Sequence, residues 1–323
     1  MVHAIRVHKT GGPEVLTWEN VEVGDPGPGQ VRLKQHAIGV NFIDTYQRSG
    51  LYKLPLPLIP GNEGAGEVVA VGPGVTEFKV GDRGAYAGAV GGYAEERVIA
   101  ADRLVKLPAS IDDKTAAGMM LQGMTVRYLL RQTYKVGPST VMLLHAAAGG
   151  IGLIAAQWAR HLGATTIGTV GSEEKAKLAK DAGCTHVINY KTEDFVKRTR
   201  ELTGGQGVDV VYDGVGKDTY PASLDCLKPL GLWVSFGNAS GAIANFDLLG
   251  LSSKGSLYAT RPTLQTYVAK RADLLANASE LFDVVSKGIV KINVNHTYAL
   301  KDAAQANRDL EGRKTTGAIV LLP

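Results

Sequence analysis

The feature that most constrains this chain is the segment VMLLHAAAGGIGLIAAQWARHLGATTIGTV, from Val141 to Val170. An apolar run ends at about His145, small residues (Ala147, Ala148, Gly149, Gly150) form a turn, and Gly152 opens an amphipathic stretch leading to a second apolar run. Such a strand, turn, helix and strand close as a right-handed crossover between parallel strands. The alternation continues through SEEKAKLAKDAG, HVINY, DFVKRTRELTG, VDVVYD and GLWVSFG. It predicts an α/β fold with a doubly wound parallel sheet carrying helices on both faces.

The ends of the chain read differently. Short β-like runs (HAIRV, LTWENVEV, QVRLKQHAIGV, GEVVAVG, YAEERVIA) are separated by GGPE, GDPGPG, GPGV and GDRG, the rhythm of an antiparallel or mixed β domain. At 323 residues the chain exceeds the size at which one core keeps growing, so two domains are expected. The boundaries are placed at 1–121, 122–261 and 262–323. The last part, with helical stretches at 263–287 and 301–310 and a closing strand GAIVLL, cannot extend the parallel sheet and is expected to return to the first domain. No repeat of solenoid period is present.

The turn in the opening segment has the context that a dinucleotide site demands. Small residues let the backbone approach a pyrophosphate, and the helix N-terminus supplies free N–H donors. In the NAD version of this turn, an acidic residue about 20 positions on holds the ribose 2′-hydroxyl. Here TTIGTV ends in Gly171 and Ser172 with no carboxylate at the tip, which leaves room for a 2′-phosphate. Lys175, Tyr190 and Arg313 could meet that phosphate, so NADPH is the expected cofactor. Glu173 and Glu174 lie nearby, and the competing reading makes Ser172 a helix cap and Lys175 a solvated side chain.

The totals exclude other classes. A formal net charge of +4 over this length does not make a nucleic-acid surface. Cys184 and Cys226 form no CxxC pair, so neither a disulfide framework nor a cysteine-built zinc site can be assembled. The N-terminal MVHAIRVHKTGG has no signal-like apolar core, and the apolar stretch at 146–159 is broken by glycines and too short to span a bilayer. A cytoplasmic location is expected.

Across essentially its whole length the chain resembles the medium-chain dehydrogenase/reductase superfamily, and within it the zinc-free quinone oxidoreductases of the zeta-crystallin type. The resemblance is carried in order by NFIDTYQRSG, GNEGAGEVVAVG, HAAAGGIG, GTVGSEEK, VINY, VYDGVG, VSFGNASG, LYATRP and GRKTTGAIVLLP. It implies a GroES-like β-rich catalytic domain rejoined by the C-terminal tail, a Rossmann domain, and NADPH between them. Zinc alcohol dehydrogenases of the superfamily carry a histidine where this chain has Asn62, a cysteine where it has Asn41, and a four-cysteine lobe that it lacks. Asparagine amides are poor zinc ligands, so no metal is expected.

The resemblance also assigns residues. It places Asn41, Tyr46 and Tyr52 along the substrate cleft with Arg261 at its mouth, Asn41 as an amide donor, and the tyrosines as stacking rings with hydroxyls. It puts Asn41 and Thr125 near the nicotinamide, Gly149, Gly150 and Ile151 at the pyrophosphate, and Gly171, Ser172, Lys175, Tyr190 and Arg313 at the adenosine phosphate. Val215, Phe236, Gly237 and Ser240 flank the nicotinamide. Gln122 stands where some relatives hold a lysine, and Glu63 of GNEGAGE is read as structural, accepting hydrogen bonds under the site.

A quinone is already electron-poor, so hydride transfer to it needs positioned donors rather than a strong base. The expected activity is NADPH:quinone reduction, with a quinone as small-molecule partner. The rival enzyme reading is an enoyl or alkenal reductase, in which a tyrosine proton donor would matter more. The non-enzymatic rival is a lens-crystallin-like or AU-rich RNA-binding protein, for which Lys197-Arg198 and Lys270-Arg271 would serve. A homodimer through the sheet edge at SLYAT is expected from the family.

Overall fold

The computed structural model describes residues 1–323 as two compact units. The first comprises Met1–Met124, Tyr267–Ser286 and Ile292–Pro323, and the second Thr125–Thr266 and Lys287–Lys291. These boundaries lie a few residues beyond the ones read from sequence, and the short return at Lys287–Lys291 has no sequence signature. It is pinned by Gln157, whose amide donates to the Lys291 carbonyl at 3.0 Å and accepts from the Lys291 N–H at 2.9 Å.

In the second unit the six strands run in the order His186–Asn189, Thr165–Val170, Val141–Leu144, Val208–Asp213, Leu227–Ser235 and Tyr258–Thr260. All neighbours are parallel. The central strands are buried almost throughout, which accounts for their continuous apolar sequences. Leu143, Ile167, Ile188, Val211 and Trp233 share one core, each such side chain contributing roughly 1.5–3 kcal/mol through burial. The strand order reverses between Val141–Leu144 and Val208–Asp213, the point at which ligands sit in sheets of this type.

The first unit is built on a mixed sheet. Val294–Ala299 and Ala318–Leu322 pair in parallel, and the sheet continues antiparallel through Gln30–Val40, Glu63–Val71, Arg83–Ala87 and Val105–Lys106. Glu96–Ala100 also pairs with Gln30–Val40. The C-terminal strand thus closes onto the long N-terminal one, with Ile319 opposite Val40. The helical stretch at 263–287 is two helices, Leu264–Tyr267 and Arg271–Ser286. A fresh turn starts at Lys270, whose carbonyl accepts from the Leu274 N–H.

Candidate active site

Within the first unit, the residues quoted from GNEGAGE and NFIDTYQRSG meet in a buried polar network. Strand Gln30–Val40 ends at Asn41, which adopts an extended backbone as the N-cap of helix Phe42–Ser49. The Asn41 backbone N–H donates to the Asp44 carboxylate at 2.9 Å, the return half of a capping box. The Asn41 side chain turns elsewhere: its amide nitrogen donates to Glu63 Oε2 at 2.7 Å and its oxygen accepts from Gln122 at 3.2 Å. Glu63 Oε1 accepts from the Leu121 backbone N–H at 2.8 Å.

Glu63 is fully buried, and burial pushes its carboxyl up to about 8 against the opposing pull of Asn41 and the Leu121 N–H. Asp44 is pushed up to about 6, again by burial, although it accepts from Asn62, Asn41 and Tyr93. Room for Glu63 depends on Gly39: a Cβ there would lie 2.2 Å from Glu63 Oε2 and 2.3 Å from the Ala117 carbonyl. Tyr46 is buried on the helix, its ring 5.4 Å from that of the more exposed Tyr52. Tyr46 and Tyr52 are therefore neighbours, on and just after the helix that Asn41 caps, and one Asn41 N–H is already committed to Glu63.

Asn62, at the position of the dehydrogenase histidine, donates to Asp44 Oδ1 and Gln47 Oε1, both at 2.7 Å. Its amide nitrogen is spent on these acceptors, and nowhere do three His, Cys, Asp or Glu side chains group around a common point. This donor set does not fit a zinc ion.

In the second unit the turn after Val141–Leu144 has the form of a phosphate cradle. Ala146 takes a left-handed backbone with φ of 55°, strain of the kind that concentrates at functional turns. Helix Gly150–His161 starts immediately, with Gly149 as its N-cap and Ile151 in its first turn. A Cβ on Gly152 would lie 2.4 Å from the Ala146 carbonyl and 2.6 Å from that of Ala147, so only glycine lets the helix begin this close.

At the tip of the next strand, a Cβ on Gly171 would lie 2.5 Å from the Tyr190 hydroxyl. Ser172 caps helix Glu173–Ala182, its hydroxyl accepting from the Lys175 N–H. Gly171, Ser172, Lys175 and Tyr190 thus gather at one strand end, while the Glu173 carboxylate accepts from the Asn189 amide at 2.6 Å. Arg313, in contrast, belongs to the first unit, in a left-handed backbone two residues after helix Ala303–Glu311.

A further cluster of the second unit joins Val215, Phe236, Gly237, Ser240 and Arg261. The Ser240 hydroxyl donates to the Val215 carbonyl, and Arg261 donates to the carbonyls of Ser235 and Gly237, all at 2.9 Å. Their anchor is Asp213, a residue that sequence reading passed over. Its carboxylate accepts from the N–H groups of Val215 and Gly216 and from Thr219, Ser223 and Trp233. A carboxylate closing the apolar strand VDVVYD at the sheet's switch point was the available signal. Thr125 is buried on helix Met120–Tyr128.

Comparison with known proteins places this geometry. The family model described as the alcohol dehydrogenase GroES-like domain matches residues 27–109, and that described as zinc-binding dehydrogenase matches 150–274. A quinone oxidoreductase of Pseudomonas aeruginosa is 53% identical, with all of both chains covered. A 2-haloacrylate reductase of a Burkholderia species is 50% identical over all of this chain and 99% of its own. The crystal structure of Escherichia coli quinone oxidoreductase complexed with NADPH superposes with a TM-score of 0.98 at 50% identity, covering 99% of this chain and all of that one. The chain belongs to the quinone oxidoreductase family of the medium-chain dehydrogenase/reductase superfamily.

Proposed function

We propose that this protein reduces quinones at the expense of NADPH, without a metal. The observation that carries the cofactor choice is the strand tip at Gly171, where Lys175 and Tyr190 stand and the Glu173 carboxylate beside them is engaged by the Asn189 amide. A quinone oxidoreductase of the same fold, alike over its full length, is known with NADPH bound.

When bound, NADPH supplies the hydride. The chain's own groups bind and orient. The backbone of Gly149, Gly150 and Ile151 at the helix start meets the pyrophosphate. Ser172, Lys175 and Tyr190 beside Gly171 hold the 2′-phosphate. Thr125, Val215, Phe236, Gly237 and Ser240 border the nicotinamide, and Arg261 stiffens the Ser235–Gly237 backbone there. Asn41 presents an amide to the substrate or nicotinamide, and Tyr46 and Tyr52 offer stacking faces and hydroxyls to the quinone ring.

A second reading, reduction of an activated carbon–carbon double bond, is favoured by the 2-haloacrylate reductase at 50% identity. NADPH oxidation across a panel of quinones and enones separates the two. Faster turnover of enones, lost in Tyr46→Phe or Tyr52→Phe, would replace the quinone assignment.

No helix is long and apolar enough to cross a membrane, and we place the protein in the cytoplasm as a homodimer. Support for the dimer lies in strand Tyr258–Thr260, which ends the six-stranded sheet with its outer edge unpaired and Tyr258 60% exposed.

A further inference from the structure

Leu121, Glu63, Asn41 and Gln122 form one chain of polar groups, all within the first unit. Main-chain N–H groups only donate, so the atom of residue 63 that faces Leu121 must stay an acceptor. The other oxygen of Glu63 faces Asn41. A carboxylate there can only accept, which turns the Asn41 nitrogen toward Glu63 and the Asn41 oxygen toward Gln122 Nε2. The Gln122 oxygen then has no protein donor, although it is sealed from solvent.

An acid O–H, or an amide, in place of that oxygen would donate instead. The Asn41 amide would then have to turn over to offer its oxygen. Its nitrogen would face Gln122, and that amide would turn over as well. The orientation of both amides therefore follows from one group.

We propose that Glu63 is a positioning residue for the reaction: its charge decides which end of the Asn41 amide faces Glu63 and which faces Gln122, and with that where the amide's remaining N–H and lone pair meet the ligand. The inference rests on the reading of Asn41 as the ligand-facing amide. Glu63 touches no ligand itself and acts only through Asn41.

The groups facing Glu63 are the Asn41 amide, the N–H groups of Leu121 and Met120, and, farther off, the Asp44 carboxyl and the Tyr86 phenol. None is a cation that would hold it ionised. Burial pushes it up to about 8, so acid and carboxylate both occur near neutrality. The arrangement seen, with both Glu63 oxygens accepting, is that of the carboxylate, and it is taken as the productive one.

The test is Glu63→Gln, which keeps the shape and the Leu121 contact but fixes the inverted orientation. Its thermal stability should lose the part of the wild-type fall that comes between about pH 6 and 8 and keep the part below it that Asp44 contributes. Its kcat should be about tenfold below the wild-type alkaline plateau, flat with pH, and equal to the wild-type acid plateau, with the KM for NADPH little changed. A purely structural Glu63 would leave kcat and its pH profile untouched, and that result overturns the proposal.

Should Glu63→Gln not fold, the wild type decides: a kcat unchanged between pH about 6 and 9 overturns it. A wild type that oxidises no NADPH defeats the proposed function. The stability profile then stands by itself, and its failure to fall further as pH rises from about 7 to 9, above the range of Asp44, would overturn the Glu63 inference.

Discussion

Asn41 donates its side-chain amide to Glu63 over 2.7 Å, and both side chains are buried. Glu63 opens one strand and Asn41 directly follows its antiparallel neighbour: Gly39, two residues before Asn41, lies opposite Glu63 in the ladder. The glycine at that point is what admits the carboxyl, and the network that follows from it ties the N-cap of helix Phe42–Ser49 to the strand below.

Buried carboxyls make stability depend on pH with a definite sign. Glu63 and Asp44 have folded-state values of about 8 and about 6, above their ordinary values of 4.5 and 3.8. Between the ordinary and the raised values the folded protein binds more protons than the unfolded chain. Their contribution is therefore full below pH about 4 and is lost as pH rises through 6 and then 8. Thermal melts across this range should show the melting temperature falling toward the alkaline side.

Cofactor choice rests on the strand tip beside Tyr190. Lys175→Ala should weaken NADPH by ~1.5 kcal/mol, the low end for a charge-assisted contact because the side chain is partly exposed. That is about a tenfold rise in KM for NADPH with little change for NADH. Steady-state kinetics with both cofactors checks it; equal losses would remove Lys175 from the phosphate site.

The close approach at the nucleotide turn leaves no space for a methyl group. Gly152→Ala would press a Cβ against two backbone carbonyls that cannot swing aside, at 2.4 and 2.6 Å. A loss of about 1–3 kcal/mol in stability is expected, with NADPH binding weakened beyond it. Calorimetric titration beside a denaturant curve separates the two effects.

The exposed edge strand predicts the assembly. Sedimentation of the wild type should report twice the chain mass of 34.1 kDa, and Tyr258→Glu should shift the equilibrium toward the monomer. A monomeric wild type would free this edge for another role.

The parallel sheet was legible because its strands are buried on both faces and read as unbroken apolar runs, with the glycine turn between two of them. Gly149, Gly152 and Gly171 could be found because their roles follow from lacking a side chain, which sequence displays directly. The buried network was legible only in part. The spacing of Asn41 and Asp44 is that of a capping box, yet that Asn41 would spend its side chain on Glu63 depends on strand register. The hub at Asp213 and the return at Lys287–Lys291 rest on contacts between distant segments, which no local pattern encodes.

The most direct test of the account is the rate of NADPH oxidation with a quinone, measured for metal-stripped wild type alongside Tyr46→Phe and Tyr52→Phe. Chelation should leave the rate intact, NADPH should be preferred to NADH, and the phenylalanine variants should keep most of their quinone activity. A wild type inactive with every quinone, or one whose activity returns only on adding zinc, would contradict it.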